Sequence, residues 1–395
     1  MRAVSFCFIA VLALLVMFPW LACAAELPDP EKPGPFPVGV TTMLFVDHNR
    51  TDAQTNGPRS LMTEIWYPAT DDTAALPKGN LMSNYFKDGN PALAMALNMA
   101  FGIDLAQVSK TFHCFAVRDA RARDGVFPLL LFSHGNGGTR IQGIFWCEHM
   151  ASHGYIVMSP DHTGNCAMTA IDGNPIPYNN EGREQSGKDR PADISFLIDA
   201  MTRMSKGADS RFVGKVDLAH IGVAGHSYGG FTATLVADTD PRVTAIAPMA
   251  GVGRSRVKYD CPALILLATE DATIKIEGND RVRAYYEESK GPRYSVEFRN
   301  GGHFSFTEMY QFKPTFGDGI GTGTRITNGE PITYTAMDVA FRLTNGYTTA
   351  FLGHYLKGQT GYDAYLTANH LPEELIVKSS VPDAAKPVAP LPASQ

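Results

Sequence analysis

Apolar positions along the chain fall into two patterns. Between about residues 26 and 120 they alternate or scatter; beyond that, short unbroken apolar runs alternate with segments of helical spacing. Residues 38–47 and 61–67 read as strands, with Asn56-Gly57-Pro58 as the turn between them. Residues 91–101 open on Pro91, a favoured first helical residue, and predict a helix; residues 112–117 predict a strand. Residues 127–132 are continuously apolar, as expected of a strand buried on both faces. From there the pattern predicts helix 139–153, strand 155–159, helix 189–204, strand 220–224 and helix 229–237. Strands 243–247 and 263–268, helix 279–290, strand 294–298 and a last helix 336–356 complete it. This alternation predicts the α/β class, with a mostly parallel central sheet and helices on both faces. The first strands come without helices between them, so the N-terminal edge should be antiparallel. No internal repeat of 20–50 residues is present. Residues 26–380 read as one domain, and the Pro- and Ala-rich residues 381–395 as a disordered tail.

The N-terminus reads as an address. Met1-Arg2 supplies a short positive end, residues 3–18 are almost continuously apolar, and the small residues Ala22 to Ala25 follow Pro19-Trp20. This predicts a secretory signal peptide over 1–25, cut near Ala24 or Ala25, and a secreted or periplasmic protein. An uncleaved anchor and a lipoprotein attached through Cys23 are the alternatives; Trp20, three places before Cys23, disfavours the second. No later segment is long and apolar enough to cross a bilayer. Export changes how the cysteines read: Cys114, Cys147, Cys166 and Cys261 could form up to two disulfides or remain buried thiols. Their spacing fits no zinc pattern. The chain is mildly acidic, with a net charge of −6, so a nucleic-acid partner gains no electrostatic support. A hydrophobic content of 44% supports a sizeable core rather than a disordered chain.

Candidate chemistry gathers after the predicted parallel strands. Strand 220–224 runs into Gly225-His226-Ser227-Tyr228-Gly229-Gly230, and a helix follows. A tight strand-to-helix turn lifts its central side chain above the sheet, at the positive end of the helix, which makes Ser227 the candidate nucleophile. A plain Gly/Ser turn is the alternative. Strand 127–132 enters Ser133-His134-Gly135-Asn136-Gly137-Gly138, a loop able to aim a backbone N–H at a developing oxyanion. Asn136 is the candidate first donor and Tyr228, just after the serine, the second. A phosphate-cradling loop is the rival reading, but Gly-Lys-Ser/Thr is lacking. Asp271 ends strand 263–268, 44 residues after Ser227, and His303 follows 32 residues later on a glycine loop. Glu270 is the rival acid, and Asp280 a weaker one. His134, His220, His226 and His354 read as structural. A Ser227-His303-Asp271 triad with two N–H donors hydrolyses esters through an acyl-enzyme and requires no metal or organic cofactor.

At these residues the chain resembles the plasma-type platelet-activating-factor acetylhydrolase family of α/β-hydrolases. The resemblance is carried by Thr63-Glu64-Ile65-Trp66-Tyr67-Pro68, Ser133-His134-Gly135, Ser152-His153-Gly154-Tyr155, the Ser227 motif and the Asp271/His303 pair, and spans about residues 40–305. Its downstream spacings are also similar to those of cutinase-like polyesterases and dienelactone-hydrolase relatives, although the latter carry Cys where Ser227 stands. The resemblance implies the α/β-hydrolase fold and hydrolysis of short carboxylic or phospholipid sn-2 acyl esters. Its expected substrate is a small ester or lipid, with acyl groups of two to four carbons cleaved fastest; no stable membrane insertion is expected, and oligomeric state stays open. A polyester hydrolase or peptidase of the same fold is the alternative, and a noncatalytic binding module is disfavoured because all three triad members occur in order. Residues 71–110 read as a lid-like insertion or as ordinary helix packing. Residues 311–335, with Gly317, Gly319, Gly321 and Gly323, read as a long loop bordering the alcohol side of the substrate.

Overall fold

The structure, a computed structural model, describes residues 26–86, 95, 98–99, 102–207, 211–253 and 261–382. Its centre is a ten-stranded sheet built from β1 (Val38–Thr51), β2 (Pro58–Pro68), β3 (Val117–Arg118), β4 (Phe127–Ser133) and β5 (Ile156–Pro160), then β6 (Val216–His226), β7 (Val243–Met249), β8 (Ala263–Ala268), β9 (Arg293–Phe298) and β10 (Leu375–Ser380). Across the sheet the order is β10-β9-β8-β7-β6-β4-β5-β2-β1-β3. The strands from β5 to β9 run parallel; β2 pairs antiparallel with both β5 and β1, which is the antiparallel N-terminal edge that the sequence predicts.

The unbroken apolar runs explain the layering. In β4, Leu130 and Phe132 enter one core while Leu129 and Leu131 enter the other, because successive side chains point to opposite faces. Leu264 and Leu266 against Ile265 and Leu267 do the same in β8. The first core is closed by α1 (Ile144–Ser152) and α5 (Met337–Lys357), through Trp146, Met150, Tyr347 and Phe351. The second is closed by α2 (Arg183–Met204), α3 (Tyr228–Thr239) and α4 (Lys275–Glu288), through Leu197, Val236 and Val282. Each fully buried leucine contributes about 1.5–3 kcal/mol, and truncating one such as Leu266 to alanine costs about 2–5 kcal/mol.

The structure corrects several predicted elements. Residues 112–117 form a strand only at Val117–Arg118; a short helix, Leu105–Val108, precedes them. Helix α2 starts six residues before the predicted 189 and carries Pro191 inside it. The missing N–H and the ring clash cost about 3 kcal/mol, which the buried Ile194, Leu197, Ile198 and Met201 offset. Residues 311–335 are not one long loop: Thr322–Thr324 and Pro331–Thr333 pair as a hairpin. A second hairpin, Met168–Ile171 with Asn174–Pro177, and the antiparallel strand β10 also go beyond the predicted elements. The predicted signal peptide, most of helix 91–101 and residues 383–395 lie outside the described residues. No helix among the described residues is long and apolar enough to cross a membrane. Cys114, Cys147, Cys166 and Cys261 are free thiols, the first three buried.

Candidate active site

Ser227 sits between β6 and α3 with φ +56° and ψ −116°, a conformation that L residues rarely adopt. Its N–H donates to Met249 O at 2.7 Å, which ties the turn to the end of β7. The flanking glycines are required by close approach. A Cβ on Gly225 would lie 2.5 Å from the Gly229 carbonyl carbon, and one on Gly229 would enter the carbonyl of Ser133. The β6–α3 turn and the end of β4 therefore pack backbone against backbone.

Asp271 and His303 meet as the sequence predicts. Asp271 is fully buried at the end of β8; its Oδ1 accepts the N–H groups of Thr273 at 3.1 Å and Ile274 at 2.9 Å. Its Oδ2 accepts His303 Nδ1–H at 2.7 Å. A carboxylate only accepts, so the proton rests on Nδ1 and Nε2 keeps its lone pair. Ser227 and His303 line one cavity of about 590 Å³. The rivals are occupied elsewhere: Glu270 binds Arg325 at 2.8 Å and the Ile326 N–H at 3.0 Å, and Asp280 pairs with Arg283.

Asn136 and Tyr228 flank Ser227. Neither backbone N–H has an acceptor among the described residues. The Asn136 side chain turns the other way, donating to Tyr178 OH at 2.9 Å and accepting from Asn165 at 3.0 Å. Gly135, Gly137 and Gly138 in the same loop spend their N–H groups on Gln142 Oε1, Asn165 O and Gly135 O.

Three supporting residues were not singled out from sequence. Asp318 accepts Ala272 N–H and His303 N–H, each at 2.9 Å, and the Thr273 hydroxyl at 2.7 Å, so one carboxylate ties the Asp271 loop to the His303 loop. Gln142 accepts from Gly135 N–H and, through its amide nitrogen, meets His226 Nδ1 at 3.1 Å; His226 Nε2–H then donates to His303 O at 2.8 Å. Burial, together with the neighbouring His303, pushes His226 well below the ordinary imidazole range, so it stays neutral in this chain of bonds. The third residue is Glu308, buried in the cavity wall, where it accepts Gly143 N–H at 2.8 Å and burial raises its carboxyl to about 7.

His134, His220 and His354, which read as structural in the sequence, each have a partner of their own. His134 bonds Gly135 O and accepts from His162 N–H, His220 bonds Asp217, and His354 bonds Asp363. Beneath the site lies a second set of the same residue types. Ser133 Oγ meets His162 Nε2 at 2.9 Å, and His162 Nδ1 meets Asp193 Oδ2 at 2.9 Å. All three are fully buried, and Arg59 holds Asp193 from the far side at 2.7 Å. Burial alone would raise the Asp193 carboxyl, but Arg59 and His162 hold it well below the carboxylate range.

A smaller cavity of about 300 Å³ opens on the other side of Ser227, toward Tyr228, Phe231 and Val252. Asn136, Arg183, Ser227, Ile274 and Arg281 line both cavities, so the serine stands at the junction of two arms. Among the described residues no group of three or more His, Cys, Asp or Glu side chains is placed to hold a metal ion.

Two family models match the chain: platelet-activating factor acetylhydrolase, isoform II, over residues 23–185, and PET hydrolase-like over residues 139–312. A probable 1-alkyl-2-acetylglycerophosphocholine esterase of Arthroderma benhamiae is 25% identical over 57% of this chain and 60% of its own. Lipase 1 of a Moraxella species is 27% identical over 43% of this chain and 47% of its own. Platelet-activating factor acetylhydrolase of Cavia porcellus is 23% identical over 60% of each. The chain thus spans about half to three fifths of the length of these relatives. A solved ferulic acid esterase from Streptomyces cinnamoneus superposes with a TM-score of 0.69 at 25% identity, covering 88% of this chain and 98% of that one.

Proposed function

Because the chain is an α/β-hydrolase of the platelet-activating factor acetylhydrolase family, we propose that it is a serine carboxylic ester hydrolase working through Ser227, His303 and Asp271. The observation that carries the reading is the 2.7 Å bond from His303 Nδ1–H to a buried Asp271, in the cavity that Ser227 also lines. His303 Nε2 takes the Ser227 proton as Oγ attacks the ester carbonyl. Asp271 stabilises the imidazolium that results. The N–H groups of Asn136 and Tyr228 receive the tetrahedral oxyanion, a contribution of about 3–4 kcal/mol per donor in such sites. His303 then returns the proton to the leaving alcohol, and water, activated by the same nitrogen, releases the acid.

The larger cavity takes the acyl group and the smaller one the alcohol. Its walls mix Ile103, Ile141 and Phe312 with Thr139, Thr307 and Glu308, which supports short acyl groups over long tails. The substrates are short-chain carboxylic esters or phospholipid sn-2 acyl esters. Residues 1–25 act as a cleaved export signal, and residues 71–110, which bring Ile103 to the cavity wall, act as its lid.

A fluorophosphonate probe tests the assignment. One adduct, on Ser227, with loss of labelling and of ester hydrolysis in Ser227→Ala, is the expected result. The variant removes one hydroxyl from a turn and no core volume, so its fold should persist while kcat falls by about 10⁴ or more. An adduct on another residue, or full activity in Ser227→Ala, overturns the reading.

A further inference from the structure

Most arginines in the described chain sit against a carboxylate: Arg59 on Asp193, Arg140 on Asp161, Arg242 on Asp240, Arg283 on Glu297 and Arg325 on Glu270. Arg183 and Arg281 do not. Neither has an ion pair among the described residues, and both are exposed at the junction of the two cavities beside Ser227. Arg183, the first residue of α2, lies 6.0 Å over the Tyr228 ring; Arg281 comes from a different helix, α4, and lines the same two cavities. Among the described residues, the smaller cavity is lined by these two arginines and by no acidic side chain. The only carboxylate that the described residues bring to the lining of the larger one, Glu308, is bound to Gly143 N–H and has its carboxyl raised by burial.

We propose that Arg183 and Arg281 form an anion subsite, and that the preferred substrate is an ester whose alcohol portion carries a carboxylate or a phosphate. The inference rests on the esterase reading and deepens it. A guanidinium presents a rigid fork of donors that matches either oxyanion, and two forks lining one cavity can bind one group together. Both cations are present before substrate arrives, while the chain as a whole carries −6, so the positive potential at this mouth is local and attracts an anion to the serine. The ester carbonyl then lies at Ser227 with the alcohol in the smaller cavity, and the anion at its rim. A neutral alcohol would leave two guanidinium groups unpaired in the complex.

The experiment compares matched esters on the full chain. 4-Acetoxybenzoate and 4-acetoxybenzamide are close in shape and differ in charge. The expected kcat/KM ratio is about ten- to a hundredfold in favour of the carboxylate, falling toward one in Arg183→Gln/Arg281→Gln and with rising salt. An acetylated glycerol 3-phosphate, compared with the same acetylated glycerol without phosphate, reads the preference for a phosphate and so separates a phosphate source from a carboxylate source. Monomethyl adipate against dimethyl adipate tests the acyl side, where no preference is expected. Calorimetry with 4-hydroxybenzoate, the reaction product, reads the subsite without turnover: binding that Arg183→Gln/Arg281→Gln abolishes, with 4-hydroxybenzamide weaker, is expected. Equal rates for charged and neutral esters, or a preference that survives the double substitution, overturns the subsite. Product binding that depends on the arginines, without hydrolysis of either ester, would leave the subsite standing and sink the esterase reading instead.

Discussion

Replacing Asp271 by asparagine changes one atom at the deepest point of the proposed triad. The carboxylate accepts three bonds: two from the backbone N–H groups of Thr273 and Ile274, and one from His303 Nδ1–H. An amide oxygen can keep the two backbone bonds, so the loop at the end of β8 should hold its shape. The amide NH₂ must then face His303 Nδ1. Two donors cannot share a bond, and the imidazole is driven to the tautomer with the proton on Nε2. That nitrogen can no longer accept the Ser227 proton. The expected loss in kcat is about 10⁴, equivalent to about 5 kcal/mol of transition-state stabilisation, with KM little changed because no substrate contact is lost. Glu270→Gln is the control. Glu270 is buried like its neighbour, though less completely, but its oxygens hold Arg325 and Ile326, and a glutamine oxygen can keep one of those contacts. Its kcat should stay within about tenfold of the parent. The assay is kcat on p-nitrophenyl acetate for both variants, with circular dichroism as the check on folding. A collapse in Glu270→Gln together with near-normal Asp271→Asn would refute the reasoning and move the acid by one position.

Asp318→Ala should lower kcat by about ten- to a hundredfold with KM nearly constant, since it frees the Asp271 and His303 loops from one another without touching substrate; an unchanged kcat counts against the staple. Across p-nitrophenyl acetate, butyrate, octanoate and palmitate, kcat/KM should peak at acetate or butyrate, because a mixed-polarity wall returns little of the roughly 0.8 kcal/mol per buried CH₂; a maximum at octanoate or beyond rejects a short acyl arm. Burial lowers His149 to about 3 and His153 and His162 to about 4, and holds His134 and His226 well below the ordinary range. These five stay neutral while the unfolded chain binds protons below about 6.5, so the stability they carry is complete above that pH and is lost as pH falls toward 4, at about 1.4 kcal/mol per proton per pH unit. Glu148 and Glu308, raised to about 7 by burial, and Glu64, also raised by burial, act in the opposite sense, gaining stability as pH falls toward about 4.5, but they are three against five. The melting temperature should therefore drop between pH 6.5 and 4, and a flat profile over that interval would contradict the assignment of neutral buried imidazoles.

The parts legible in sequence are those where one short segment states its own constraint. The apolar run of β4 can only be a strand buried on both faces, and a serine between glycines at a strand-to-helix junction has little else to be. The supporting residues are of another kind. Asp318 reaches His303 across 15 residues and Ala272 across 46, and both distances depend on how the chain from 307 to 335 folds, including a hairpin whose strands are three residues each. Gln142 has no local pattern; its role exists only because β6 brings His226 beside the loop after β4. The edge strand β10 has two of its six residues exposed and three half-buried, so its apolar pattern is faint. The hairpin at 168–177 is different, since Asp172-Gly173 between Thr169-Ala170-Ile171 and Pro175-Ile176 is a readable turn signal, and both residues adopt the positive φ of a type I′ turn.

The buried Ser133-His162-Asp193 set turns the molecule into its own control. Two serines belong to sets of the same three residue types, and in both the imidazole is hydrogen-bonded to an aspartate. One serine lies in a relaxed strand, sealed from solvent, with Arg190 also donating to its oxygen at 3.3 Å. The other rides a strained turn at the mouth of two cavities, next to unclaimed N–H donors. A phosphonate warhead offered to the folded protein should therefore reach a stoichiometry of one and not two. If it does, the comparison within a single chain assigns reactivity to access, backbone strain and a waiting oxyanion site, and leaves the hydrogen-bond relay, taken alone, as a structural brace.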